Sequence, residues 1–190
     1  MIKNRIITLR KKFKEFNIDG YIIPKNDEFF SEYAEIDRLK TMTGFTGSAG
    51  LAIILKKSNY LFIDGRYTIQ AKKESGKNFK IIEIHKKLPR HLIKNLTLGF
   101  DPKLFTSRQL KYYFLNTTIL NPITKNLIDK IKKPKLLEIK SFFSIDKKIT
   151  GESHYSKINK ISNYLRSNKT DYLFISAPEN IAWTLNIRGN

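Results

Sequence analysis

Cysteine is absent from the 190 residues. That excludes a disulfide framework and any thiolate metal site. Long apolar runs are lacking as well: none approaches the ~20 residues that span a bilayer. The amino end, Met1-Ile2-Lys3-Asn4-Arg5, lacks the apolar core and small-residue cleavage site of a signal peptide. These absences together predict a cytoplasmic protein with no membrane partner. Histidine is sparse, and His85, His91 and His154 have no second plausible ligand at a metal-binding spacing, so no metal site is expected. Acidic side chains are short too, with 17 Asp and Glu against 36 Lys and Arg, for a net charge of +19. That surplus invites a nucleic-acid reading. The lysines are spread along the whole chain, however, and no stacking aromatics interleave with arginines. We read the charge as a matter of solubility and non-specific attraction, with no specific nucleic-acid partner.

What is present is a globular composition, 41% hydrophobic and 12% aromatic, in a chain long enough to bury a core. It is organised around residues 38–70. Gly44, Gly47 and Gly50 recur every three residues and mark an irregular, crowded loop. Leu51-Ala52-Ile53-Ile54-Leu55 and Tyr60-Leu61-Phe62-Ile63 flank a polar turn and predict a hairpin. Asp64-Gly65-Arg66-Tyr67 then opens a helix reaching Glu74.

Ile2, Ile6, Leu9, Phe13 and Phe16 lie on one face of an amino-terminal helix. Gly20 to Pro24 reads as a buried strand. Asn26-Asp27 can cap a short helix through Phe29, Phe30 and Tyr33. Further strands are expected at Phe79–Ile84, Thr97–Phe100 and Thr118–Leu120, with helices at Leu88–Asn95, from a cap at Ser107 to Leu115, and at Asn126–Ile131. The expected fold is α/β, a mixed sheet of about six strands flanked by helices. Residues 1–131 form this domain and 132–151 a linker, with Leu136, Leu137, Phe142 and Phe143 docking on a surface. Residues 152–190 begin a second, related domain, with a helix on Tyr155, Ile158, Ile161 and Leu165, a strand at Tyr172–Ile175 and a helix from Pro178 to Trp183. Asp171-Tyr172-Leu173-Phe174-Ile175 parallels Asp19-Gly20-Tyr21-Ile22-Ile23, and Leu185-Asn186-Ile187-Arg188-Gly189 parallels Thr43-Gly44-Phe45-Thr46-Gly47.

Chemistry-bearing motifs are few. The glycine loop matches neither dinucleotide nor Walker spacing and leads into a strand. Ser48 lacks a nucleophile-elbow context. Asp27, Glu28, Asp37 and Asp101 read as caps and surface charges. Asp64, Arg66 and Tyr67 form the one dense polar cluster: either Asp64 caps the next helix and pairs with Arg66, or the cluster is a corner facing substrate or partner.

Arg38-Leu39, Thr43-Gly44-Phe45-Thr46-Gly47-Ser48-Ala49-Gly50, Asp64-Gly65-Arg66-Tyr67 with Gln70-Ala71, Asn126-Leu127-Ile128-Asp129 and Ile181-Ala182-Trp183-Thr184-Leu185-Asn186-Ile187-Arg188-Gly189 together resemble the amino-terminal region of Xaa-Pro aminopeptidases of the creatinase/prolidase family. The resemblance spans nearly the whole chain. Thr41 stands where the family commonly has tryptophan, and the segment after Asp129 is basic where the family tends to be Trp- and Pro-rich. The resemblance implies a longer, three-domain protein: two related amino-terminal domains of ribonuclease-H-like fold, then a catalytic domain. There, two divalent metal ions, often manganese, activate a hydroxide that cleaves before a proline in second position. None of those ligands maps onto this chain, so the resemblance implies no catalytic residue, no metal and no cofactor here. It implies a region that shapes access to the active site and supports a homodimer, with Asp64, Arg66 and Tyr67 as the candidate contacts. Two other readings remain open: a catalytically dead binding module of the histone-chaperone kind, and a prolidase-type dipeptidase.

Overall fold

The computed structural model describes residues 1–31, 36–134 and 141–189. Contacts divide the chain into two compact units, residues 1–134 and 135–190.

The first unit opens with α1 (Ile2–Lys11). Phe13 and Phe16 follow in turns rather than in the helix, because the chain reverses at Asn17, whose φ is +49°. Strand β1 (Gly20–Pro24) is buried along its whole length. Helix α2 (Arg38–Thr43) leads through the glycine loop into β2 (Gly50–Leu55), which pairs antiparallel with β3 (Asn59–Ile63) as the apolar runs predict. A 3-10 turn at Gly65–Tyr67 precedes α3 (Thr68–Ser75). Then come β4 (Lys80–Glu83), β5 (Thr97–Phe100), α4 (Ser107–Phe114), β6 (Ile119–Pro122) and α5 (Leu127–Ile131).

The six strands form one mixed sheet in the order β4-β3-β2-β1-β5-β6, in which β2 alone runs opposite to the others. Strict alternation along the central strands feeds two apolar layers. Tyr21, Ile23, Ala52, Ile54, Leu61 and Ile63 pack with Ile6, Leu9, Leu39 and Leu127 on one face. Ile22, Leu51, Ile53 and Phe62 pack with Leu98, Phe100, Phe105 and Phe114 on the other. A sheet covered on both faces needs apolar residues at every central position, which is why these strands read as unbroken apolar runs.

Several local expectations shift. The helix expected at Leu88–Asn95 is a single 3-10 turn, Pro89–His91, because Asn95 adopts φ +56° and bonds to the Thr117 carbonyl. The cap of α4 is Thr106, not Ser107; its hydroxyl accepts the Gln109 N–H while the Gln109 side chain accepts the Thr106 N–H, a reciprocal box. After Asn26, Asp27 caps a turn through the amides of Phe29 and Ser31 rather than a helix, and Tyr33 lies outside the described residues.

In the second unit, residues 141–151, expected in a connecting stretch, carry β7 (Phe143–Ser144) and α6 (Lys147–Thr150), the latter capped by Asp146. Leu136 and Leu137 lie outside the described residues. Helix α7 (His154–Ser167) is followed by α8 (Pro178–Leu185) and β8 (Ile187–Arg188), which pairs with β7. The strand expected at Tyr172–Ile175 is not formed: it has no ladder partner among the described residues, and Tyr172 and Phe174 are about nine-tenths exposed. An apolar run becomes a strand only when another backbone pairs with it. Lys157 ties α7 to the end of α8, donating to the Trp183 carbonyl and the Asn186 side chain with its ammonium 4.1 Å from the Trp183 ring centre.

The two units share several local backbone features at an offset of 152. Helix α1 begins at Ile2 and α7 at His154. Asn17 and Lys169 are both left-handed, at φ +49° and +50°. The Ile18 amide bonds to the Phe13 carbonyl, and the Thr170 amide to the Leu165 carbonyl. Ten fewer residues then separate Asp171 from Asn186 than Asp19 from Gly44, and Gly44 and Asn186 end α2 and α8 alike in the left-handed region.

Candidate functional site at the carboxyl edge of the sheet

Five of the six strands end on the same edge, at Pro24, Ile63, Glu83, Phe100 and Pro122. The glycine loop returns to that edge to start β2. Gly44, at φ +81°, ends α2. Gly47 sits against the Phe45 ring so closely that an added Cβ would lie 2.9 Å or less from three ring carbons. The Phe45 ring in turn meets Tyr67 edge-on at 5.8 Å. Helix α3 clamps the loop: the Glu74 carboxylate accepts the Thr46 N–H and hydroxyl, both at 2.8 Å, and Gln70 Nε2 at 3.1 Å. Burial alone would raise the Glu74 pKa, but these hydrogen bonds outweigh it and hold it below the usual value.

Asp64, Arg66 and Tyr67 come together at the corner after β3. Asp64 Oδ1 accepts the Arg66 backbone N–H at 2.9 Å and its Nε at 3.0 Å. These bonds to Arg66 depress the Asp64 pKa. The Arg66 guanidinium lies 5.6 Å from the Tyr67 ring centre, and the Tyr67 hydroxyl bonds to Ser48 at 2.8 Å. Asp64 thus caps the turn and pairs with Arg66, and Tyr67 braces the glycine loop.

Asp64 also lines a cavity of about 180 Å³ at this edge. Leu51, Phe62, Ile84 and Phe105 supply apolar walls, while Asn26, Gln109 and Tyr113 join Asp64 as the polar groups. Gln109 and Tyr113, both on α4, escaped the sequence reading, because nothing local shows that α4 packs beside the carboxyl edge.

A second polar group sits in the core. Arg38 Nε and one terminal nitrogen donate to the two oxygens of Asp129 at 2.9 and 2.8 Å, joining α2 to α5. Burial pulls the Arg38 pKa down; Asp129 more than offsets it, and the net shift is upward. Burial, with the nearby charges of Asp101 and Asp129, pushes the Tyr21 hydroxyl up. Asp27, Asp37 and Asp101 all accept backbone N–H groups as caps. His91 caps its own turn through the Leu88 N–H, and His85 pairs with Glu83 at 3.3 Å. Among the described residues, no three His, Asp or Glu side chains converge as metal ligands. Among the same residues, no helix is long and apolar enough to cross a membrane.

The mixed sheet, covered on both faces and open to a small pocket at its carboxyl edge, defines an α/β domain of the kind that presents ligands or partners at strand ends. The sequence fits one family of such domains: residues 5–126 match the Creatinase/Prolidase N-terminal domain, and residues 132–190 match a second family of the same description. The chain belongs to the creatinase/prolidase N-terminal domain family. It is 30% identical to Xaa-Pro aminopeptidase 1 of Dictyostelium discoideum over all of this chain and 34% of that protein. It is 29% identical to Xaa-Pro aminopeptidase 2 of Rattus norvegicus over 98% of this chain and 30% of that one. The chain therefore spans about a third of the length of these relatives. Among solved structures, the Caenorhabditis elegans X-prolyl aminopeptidase, described as a cytosolic enzyme with a di-nuclear active site, superposes with a TM-score of 0.77 at 24% identity, over 100% of this chain and 35% of that one. The Xaa-Pro dipeptidase of Bacillus anthracis superposes with a TM-score of 0.53 at 22% identity, over 86% and 44%.

Proposed function

We propose that this chain is the non-catalytic amino-terminal region of a longer, metal-dependent Xaa-Pro aminopeptidase. That enzyme removes the first residue from peptides with proline in second position. The observation that carries this reading is the alignment of nearly the whole chain with about a third of the length of Xaa-Pro aminopeptidases at about 30% identity. Catalysis then belongs to a carboxyl-terminal domain beyond this chain, where two divalent ions, manganese as the first candidate, supply a nucleophilic hydroxide. No step of that chemistry is assigned to residues of this chain. The description of the worm enzyme as cytosolic and di-nuclear supports both the metal count and a cytoplasmic location.

Residues 1–131 are the first amino-terminal domain, 132–151 a connection, and 152–190 the opening of a second domain of the same fold. The constant offset of 152 between the left-handed residues and helix starts of the two units supports this division. On that offset Tyr172–Ile175 corresponds to Gly20–Ile23, in a central strand flanked on both sides. The corner of Asp64, Arg66 and Tyr67 faces the substrate entrance or the partner in a homodimer. Its conspicuous exposed charge, the three-quarters exposed Arg66 side chain, supports a contact role.

The test is turnover. The full-length protein with added manganese hydrolyses an Xaa-Pro peptide and stops with a chelator, while the 190-residue chain hydrolyses nothing under the same conditions. Turnover by the chain alone overturns the reading.

A further inference from the structure

We propose that the cavity at the carboxyl edge of the sheet is a binding subsite for one apolar residue of an extended peptide. It would hold the side chain inside and the flanking amides at the rim. Three observations carry this.

The first is size. At about 180 Å³ the cavity falls below the roughly 300–1,000 Å³ of pockets that take whole small molecules or cofactors. It suits a single leucine- or phenylalanine-sized group. The second is the wall. Leu51, Phe62, Ile84 and Phe105, all in the apolar layer on one face of the sheet, offer an apolar floor that gains from excluding water.

The third is the polar rim, which holds hydrogen-bonding capacity unused by the protein. Gln109 Oε1 accepts from Thr106, which leaves its Nε2 donors without a partner among the described residues. The Tyr113 hydroxyl has no partner among the described residues either, although burial beside Tyr112 raises its pKa and keeps it protonated as a donor. On the accepting side, Asn26 spends its Nδ2 on the Asp27 and Leu104 carbonyls and keeps Oδ1 open among the described residues. Asp64 engages Arg66 through Oδ1 and leaves Oδ2 open among the described residues. Two donors and two acceptors around an apolar floor complement a peptide unit, which offers one carbonyl and one N–H beside each side chain. A free acid or a phosphate would leave Asn26 and Asp64 facing an anion. A hydrocarbon would leave all four groups unpaired.

The subsite extends the peptidase reading, since it gives this region a direct hold on substrate residues. Its test is binding to the 190-residue chain without catalysis. Failure here removes the subsite and leaves the peptidase reading to be decided by turnover. The probe is N-acetyl-phenylalanine methylamide, titrated while backbone amide resonances are followed by NMR. Saturable shifts confined to the lining residues are expected, with N-acetyl-glycine methylamide at least tenfold weaker. Gln109→Glu keeps the capping oxygen and removes the donors; Tyr113→Phe removes only the hydroxyl. Each weakens binding about fivefold, the scale of one neutral hydrogen bond, while leaving the thermal midpoint within a few degrees. Absence of shifts at the lining residues, equal binding of the glycine probe, or undiminished binding by both variants overturns the proposal.

Discussion

Gly47 shows how much of this fold depends on single atoms. Its backbone is not in the left-handed region, so alanine is permitted there; the obstacle is the buried Phe45 ring. Gly47→Ala should therefore cost about 1–3 kcal/mol through overpacking, read as a lower urea midpoint with an unchanged slope. Glu74 supplies a pH-dependent counterpart. Its folded pKa is depressed, so its contribution is present above the unfolded value of about 4.3 and is lost as pH falls through the folded pKa. Wild-type stability should fall more steeply below pH 4.5 than that of Glu74→Gln, which keeps an accepting oxygen for Thr46 but carries no titrating charge. Parallel acid titrations of the two would remove Glu74 from the account.

At the scale of elements, α2 and α5 are joined across 91 residues by Arg38 and Asp129. One further Arg38 nitrogen is buried without a partner among the described residues, so the pair carries a desolvation cost. Arg38→Ala strands the partly buried Asp129 and should destabilise by about 3 kcal/mol. The double replacement Arg38→Met with Asp129→Leu should cost clearly less, and a double-mutant cycle checks both. A single-mutant loss under 1 kcal/mol would show that the pair does not hold the helices together. This link also marks what the sequence could and could not reveal. Helix α1, the β2–β3 hairpin and the crowded glycine loop were legible because period, turn chemistry and glycine spacing are local. The Arg38–Asp129 pair was not, since it depends on two distant segments meeting. Gln109 and Tyr113 lie on a legible helix, yet their place at the pocket depends on how α4 packs. Tyr172–Ile175 was misread for the same reason in reverse: its composition is that of a strand, but strand formation requires a neighbouring backbone.

Over the whole molecule, the two units differ in what holds them. Every fully buried apolar residue among those described lies between Ile6 and Ile128. The second unit buries Lys157, Thr184 and Asn186, while its Ile158 and Leu173 are exposed; their offset partners Ile6 and Tyr21 in the first unit lie in the core. Residues 1–134 alone should unfold in one cooperative transition, and residues 135–190 alone should show none, as circular dichroism on heating would record. A cooperative transition in the shorter piece would show that it needs no further strands. For the whole protein we propose a non-catalytic region of a metal-dependent Xaa-Pro aminopeptidase. The measurement that tests it most directly is release of the first residue from an Xaa-Pro peptide by the full-length protein and by this chain, each with added manganese. The account predicts chelator-sensitive release by the full-length protein and none by the chain. Release by the chain, or none by the full-length protein under any divalent metal, would contradict it.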